Sequence, residues 1–174
     1  AGAAVAQIVA LAVSHPAHGQ AYPSKPVRIV VSWPPGGSND VVARVVAQRV
    51  TESLGQQFIV ENRAGATGTI GSDLVAKSPP DGYTILVNSA THVANAHMYK
   101  KLPYDALKDF TGLTPVARLV GMLSVHPSMP VRSVKDLVAL AKRRPDEISY
   151  GTAGIGAYQH LATSLFANMA GIKL

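Results

Sequence analysis

Cysteine is absent from the 174-residue chain, which removes structural disulfides and thiolate-held metals and leaves the redox compartment open. Aromatic residues are scarce at 6%, and charged residues make up only 15%. Nucleic-acid binding calls for a basic stripe with stacking aromatics. Lys and Arg do outnumber Asp and Glu, 16 to 10, for a net charge of +6. The bases are scattered, however, with Arg44, Arg49, Lys77, Lys100, Lys101, Arg118 and Lys142-Arg143-Arg144 in separate segments. No nucleic acid is expected as a partner. The apolar stretch Ala1 to Val13 is too short to cross a bilayer.

Several chemical signatures are missing as well. A phosphate loop needs Gly-Lys-Ser/Thr after its glycines, and no loop has it. Gly65/Gly68/Gly71 and Gly151/Gly154/Gly156 do not have the G-x-G-x-x-G spacing of a dinucleotide site. G-x-S-x-G is absent, so there is no nucleophile elbow. His92 and His97 are five residues apart, which does not place both on one helix face for a metal. His160 follows Thr152 by eight residues inside a helical pattern, where a packing or capping role is expected. No catalytic residue, metal or cofactor is expected.

What is present is a well-packed α/β composition: 47% hydrophobic, with 15 Gly and 12 Pro. The length suits one ordinary domain or parts of two. Residues 1–21 read as the remnant of a secretory signal, with small residues Gly19-Gln20-Ala21 before Tyr22-Pro23. Met and a basic n-region are missing, so the start is expected to be cut. The competing reading, an N-terminal helix packed on the domain, is opposed by His15, Pro16, His18 and Gly19.

From Lys25 onward, short apolar runs alternate with helical patterns. Val27 to Val31 is a β-branched strand feeding Trp33-Pro34-Pro35-Gly36-Gly37-Ser38. Ser38 is expected to cap a helix with Asp40 in its first turn. Val41, Val42, Val45, Val46, Val50 and Leu54 recur at helical spacing, and Gly55 ends the helix. Gln57 to Val60 is a second strand, followed by a glycine loop and a helix bearing Leu74 and Val75. Tyr83 to Val87 is a third strand, leading into Asn88-Ser89-Ala90-Thr91. Strands separated by helices imply a parallel sheet, with the loops at 33–38, 63–69 and 88–91 on its carboxyl edge.

Beyond Thr91, His92 to Tyr99 reads as a helix and Leu113 to Val125 as a long strand that bends or passes between domains. Ser133 opens a helix with Asp136 in capping-box position and Lys142-Arg143-Arg144 in its last turn. Ile148 to Tyr150 reads as a strand entering Gly151 to Ala157 and a helix ended by Gly171. This second unit reads as unfinished at Leu174. The loops offer backbone N–H groups, glycines and small hydroxyls, and Arg63 is the only Lys or Arg among them. That chemistry suits capture of a carboxylate without ion pairing. For any single glycine loop the plain alternative is a tight βα turn. The other functional class is a small α/β transferase or hydrolase acting on a carboxylate at the same rim.

Four spaced motifs resemble the Bug-type substrate-binding proteins of tripartite tricarboxylate transporters. Val30 to Asp40 resembles the family's first signature, and Glu61-Asn62-Arg63-Ala64-Gly65-Ala66-Thr67-Gly68-Thr69-Ile70-Gly71 its second. Val75-Ala76-Lys77 with Pro80-Asp81-Gly82-Tyr83-Thr84 follows at the family's spacing, and Ser149 to Gly156 with His160-Leu161-Ala162 resembles the third. The resemblance implies a periplasmic-binding-protein-like (type II) two-domain clamshell, truncated, with open parallel-rich sheets flanked by helices. It places domain 1 at 22–122 and the beginning of domain 2 at 123–174. It implies periplasmic capture of a small carboxylate for delivery to membrane permease subunits, or for reading by a sensor kinase. The implied ligand contacts are Pro35, Gly36, Gly37, Ser38, Ala66, Thr67, Ser89 and Thr91 from domain 1. Thr152, Gly154, Gly156 and Ala157 close from domain 2. Trp33 replaces the family's smaller residue and is expected to alter the pocket floor. Residues 22–174 alone are expected to be marginal or aggregation-prone, because unfinished sheets leave strand edges open.

Overall fold

The computed structural model describes residues 22–174, and the signal-segment reading of 1–21 lies outside them. The described residues form nine elements. They are β1 (Val27–Val31), α1 (Ser38–Leu54), β2 (Phe58–Asn62), a left-handed turn at Ala66–Gly68, α2 (Thr69–Ala76), β3 (Thr84–Val87), α3 (Thr91–Met98), α4 (Val134–Arg143) and α5 (Tyr158–Ala170). The described residues form one sheet of order β2-β1-β3. Both pairings are parallel, with Val27 opposite Phe58 and Arg28 opposite Thr84. The crossovers put the loops after all three strands on one edge, as the alternating pattern predicts.

β1 is the central strand and is buried on both faces, which is why it reads as an unbroken β-branched run. Ile29 and Val31 face α1, where they pack with Ala43 and Ala47 and with the partly buried Trp33, Phe58, Val60 and Val87. Trp33, expected at a pocket floor, therefore belongs to the packed layer under α1. The buried stripe of α1 is also not the valine series. Ala43 is fully buried and Ala47 nearly so, while Val41, Val45 and Leu54 are exposed. Two alanines four residues apart let the helix axis approach the sheet closely, and the valines flank that contact.

Other sequence-based readings divide. Gly55 ends α1 in the left-handed conformation, with φ 69°, and Gly171 ends α5 likewise, with φ 61°. The Ser133 hydroxyl accepts from the Asp136 N–H at 3.1 Å, and the Asp136 carboxylate accepts from the Arg132 N–H at 3.1 Å. Ser38 is not the cap of α1. That position is Gly37, with no side-chain bond, because the Asp40 carboxylate already braces the turn. Leu113 to Val125 and Ile148 to Tyr150 carry no ladder. A strand exists only with a partner, and among the described residues neither segment has one.

On its other face β1 meets α2 at Gly71. A Cβ added there would lie 2.9 Å from the Arg63 carbonyl oxygen and 3.0 Å from Ser32 Cα and Cβ. These neighbours are backbone or belong to the fully buried Ser32, so they cannot swing aside. Gly71→Ala in the full-length protein is expected to lower unfolding stability by about 1–3 kcal/mol in a denaturant melt, the usual cost of overpacking. An unchanged midpoint would show that α2 rides further from β1 than described.

Candidate functional site

The first rim loop is fixed by one acid. Asp40 is 3% exposed, and its Oδ2 accepts from the Gly36 N–H at 2.9 Å and from Arg44 Nε at 3.0 Å. Oδ1 accepts from Asn62 Nδ2 at 2.9 Å and lies 3.0 Å from Arg44 Nη2. The same Asn62 amide donates to the Trp33 carbonyl at 3.0 Å. The loop after β1 is thereby tied to the end of β2. The Arg44 side chain first, then the Gly36 N–H and Asn62, hold the Asp40 carboxyl at about 2. Gly36, φ 81°, spends its N–H on this brace and offers the rim its shape.

The second loop has an unusual backbone. Gly65, Ala66, Thr67 and Gly68 all have positive φ, at 130°, 45°, 56° and 86°. For Ala66 and Thr67 that conformation costs roughly 1–2 kcal/mol each, so neighbouring contacts must hold it. The Asn95 amide donates to the Thr67 carbonyl at 3.0 Å, and Thr69 Oγ1 donates to the Ala66 carbonyl at 2.9 Å. Arg63, the loops' only Lys or Arg, is ion-paired with Glu61. Arg28, opposed by burial and aided by Arg63, holds that carboxyl below its ordinary range.

A buried polar chain lies beneath the rim. Ser32 Oγ donates to Asn88 Oδ1 at 3.2 Å, and Asn88 Nδ2 donates to Ser72 Oγ at 3.2 Å. Ser72 Oγ sits 2.9 Å from the Gly68 carbonyl and 3.4 Å from His92 Nδ1. The other ring nitrogen of His92 is 3.1 Å from the Ala106 carbonyl. Asn88 Oδ1 also accepts from the Ser89 N–H at 2.7 Å. The ends of β1 and β3 and the starts of α2 and α3 are thus bonded into one frame.

The residues singled out by the sequence are distributed as follows. Pro35, Gly36, Gly37, Ser38 and Ala66 are exposed, and Thr67 and Ser89 are half-buried. Thr91 is 2% exposed, with its hydroxyl 2.6 Å from that of Ser89. The fourth loop reaches the second: Thr67 Oγ1 donates to the Ile155 carbonyl at 3.2 Å. Gly156 and Ala157 are buried, while Thr152 and Gly154 are exposed. Thr152 Oγ1 accepts from the Gly154 N–H at 3.1 Å. His160 Nδ1 accepts from the Gly156 N–H at 3.3 Å, a capping role. Each is engaged with a loop amide. Two hollows of about 350 and 530 Å³ lie beside α1 and beside Tyr104, and neither is lined by a predicted site residue. Sequence reading missed the supporting residues Ser32, Ser72, Asn88, Asn95 and Tyr99. Only Ser32, inside the first motif, and Asn88, in the third rim loop, carried a local signal.

One regularity stands out among the described helices. α1, α2, α3 and α5 begin at Gly37, Gly68, Ala90 and Ala157, without a side-chain cap. α4, away from the rim, is capped by Ser133. The first-turn amides of the four rim helices therefore have no side-chain acceptor. The Thr69 N–H is taken by the Ala66 carbonyl and the His92 N–H by the Ser89 carbonyl at 3.0 Å; the others, together with the helix dipoles, favour an anion.

The sequence profile of the tripartite tricarboxylate transporter family receptor matches residues 42–174. Protein BugT of Bordetella pertussis is 37% identical over 169 residues, covering 96% of this chain and 52% of BugT. The solved structure of R. palustris Rpa4515 with adipate shares 40% identity and a TM-score of 0.82, covering 88% of this chain and 52% of Rpa4515. The periplasmic binding protein BugD shares 34% identity and a TM-score of 0.70, over 88% of this chain and 51% of BugD. The chain spans about half the length of the curated relatives it matches, and its fold is that of the periplasmic binding proteins.

The Asp40 brace has a pH signature. Its folded value of about 2 lies below the unfolded value of about 3.9. Its stabilisation is therefore complete above about pH 5 and is lost as pH falls toward about 2. In the full-length protein, Asp40→Asn should be less stable than wild type at neutral pH, with the two unfolding curves converging as acid is added. Curves that stay parallel would contradict the assignment.

Proposed function

The chain belongs to the tripartite tricarboxylate transporter receptor family, and from that premise we propose that the whole protein captures a small carboxylate in the periplasm. The ligand is held between two lobes, assigned here to 22–122 and to a second beginning at 123, and is passed to membrane permease subunits. The observation that carries this reading is the set of four uncapped helix starts around the rim. A carboxylate accepts several N–H bonds at once, and donors already fixed in place bind without an ordering cost.

In this reading Pro35, Gly36 and Gly37 shape the first wall, and the amide and hydroxyl of Ser38 face the ligand. Ala66 and Thr67 present the second loop, and Ser89 with the first turn at Thr91 presents the third. Thr152, Gly154, Gly156 and Ala157 form the opposing wall. Binding without chemistry is supported by the engagement of Thr152 and His160 with separate loop amides rather than with each other. The adipate bound to Rpa4515 supports a small dicarboxylate as the ligand class.

Titration calorimetry on the full-length protein tests the reading directly. Adipate, succinate, malate and a short monocarboxylate form the panel, with adipamide as the uncharged control. At least one acid is expected to bind saturably with an affinity of about micromolar or tighter, near −8 kcal/mol, while adipamide gives no heat. Absence of heat with every acid, or equal binding of adipamide, would overturn it.

A further inference from the structure

We propose that Tyr99 is a positioning residue of the carboxylate site, its hydroxyl holding the left-handed Ala66–Thr67 turn against the loop at 151–157. The inference rests on the binding role given to that turn above. Tyr99 follows the last residue of α3 and is anchored by its own N–H, which donates to the Asn95 carbonyl at 3.0 Å. Its hydroxyl lies 3.1 Å from Thr67 Oγ1 and 3.2 Å from the Ala66 carbonyl. It reaches both atoms of the turn from 32 residues further along the chain.

The two carbonyls set where the hydroxyl protons can go. The Ile155 carbonyl can only accept, so the Thr67 hydroxyl proton goes there, at 3.2 Å. The Thr67 oxygen is then an acceptor, and the Tyr99 O–H is the donor in reach. The Ala66 carbonyl, which accepts from Thr69 Oγ1 at 2.9 Å, is also an acceptor for the Tyr99 O–H at 3.2 Å, so the single Tyr99 proton goes to the turn whichever of the two oxygens takes it. The contacts run from Tyr99 through the turn to Ile155. Asn95, 1% exposed, secures the Thr67 carbonyl from the same helix.

The far side of the contact is close. Gly156, φ 83°, comes so close that an added Cβ would lie 3.0 Å from Thr67 Cγ2 and 2.3 Å from Met98 Cε. Two residues at the C-terminal end of α3, Met98 and Tyr99, therefore set how near the two walls stand. Tyr99 itself need not touch the ligand. It fixes the height and rotation of the Thr67 peptide, and with it the first amides of α2.

The test uses the full-length protein and every acid in the panel that binds the wild type. Tyr99→Phe keeps the ring and removes the hydroxyl, and it should weaken binding about tenfold, the scale of one hydrogen bond. Thr67→Val should lose a similar factor, and Thr67→Ser, which keeps the hydroxyl, should retain most of the affinity. The double variant Tyr99→Phe/Thr67→Val should be no weaker than the worse single, because both break one chain. Hydrogen exchange of the ligand-free protein should quicken at residues 65–69 in Tyr99→Phe. Unchanged affinity in Tyr99→Phe, or losses that multiply in the double variant, would overturn the positioning role alone. Wild-type protein that binds no acid would overturn the reading of the site and this role with it.

Discussion

Asp40 is the point on which the rim depends. A carboxylate this deeply placed persists only if nearly every lone pair is met, and here four donors from three segments meet it: the Gly36 N–H, two nitrogens of Arg44 and the Asn62 amide. Arg44 lies one turn further along α1, so charge is neutralised within the helix. Asn62 ends β2, so the same carboxylate sets the distance between the first and second rim loops. Because Asp40 satisfies Gly36, it draws the Pro-Gly loop back over the helix and leaves the Gly37–Ser38 end of the loop facing outward. Stability and site geometry are here one set of bonds.

The remaining rim combines two features: a chain of bonded polar side chains beneath it, and helix starts that lack side-chain caps. Ser32, Asn88, Ser72 and His92 form the bonded layer. The uncapped starts of α1, α2, α3 and α5 lie around it. The one loop cation, Arg63, is engaged by Glu61. Under the proposed carboxylate-binding role, release of the ligand gains from this chemistry. Several neutral donors hold a carboxylate with directional bonds, while a buried ion pair would carry a large desolvation cost.

Much of this was legible in the chain. The β-branched run Val27 to Val31 announced a doubly buried central strand, and the alternation of strands and helices gave the parallel order and the shared edge. Ser133 with Asp136 announced the start of α4. Other features needed three dimensions. Hydrophobic periodicity favoured the valines of α1, yet the closest packing falls on Ala43 and Ala47, because proximity to a sheet rewards small side chains. Leu113 to Val125 and Ile148 to Tyr150 have strand composition, and composition cannot supply a hydrogen-bonding neighbour. Thr67 was visible as a loop hydroxyl. Its bonds to Asn95 and Tyr99 were not, since they join positions about thirty residues apart.

In the proposed site, helix-start amides rather than basic side chains hold the ligand. Backbone-amide NMR of the full-length protein titrated with adipate tests it most directly. The largest shifts are expected at Ser38–Asp40, Ile70–Gly71, Thr91, Val93 and Tyr158–His160, with the capped start of α4 at Val134–Asp136 unmoved. Shifts confined to residues around Lys or Arg side chains, or spread equally over α4, would contradict it.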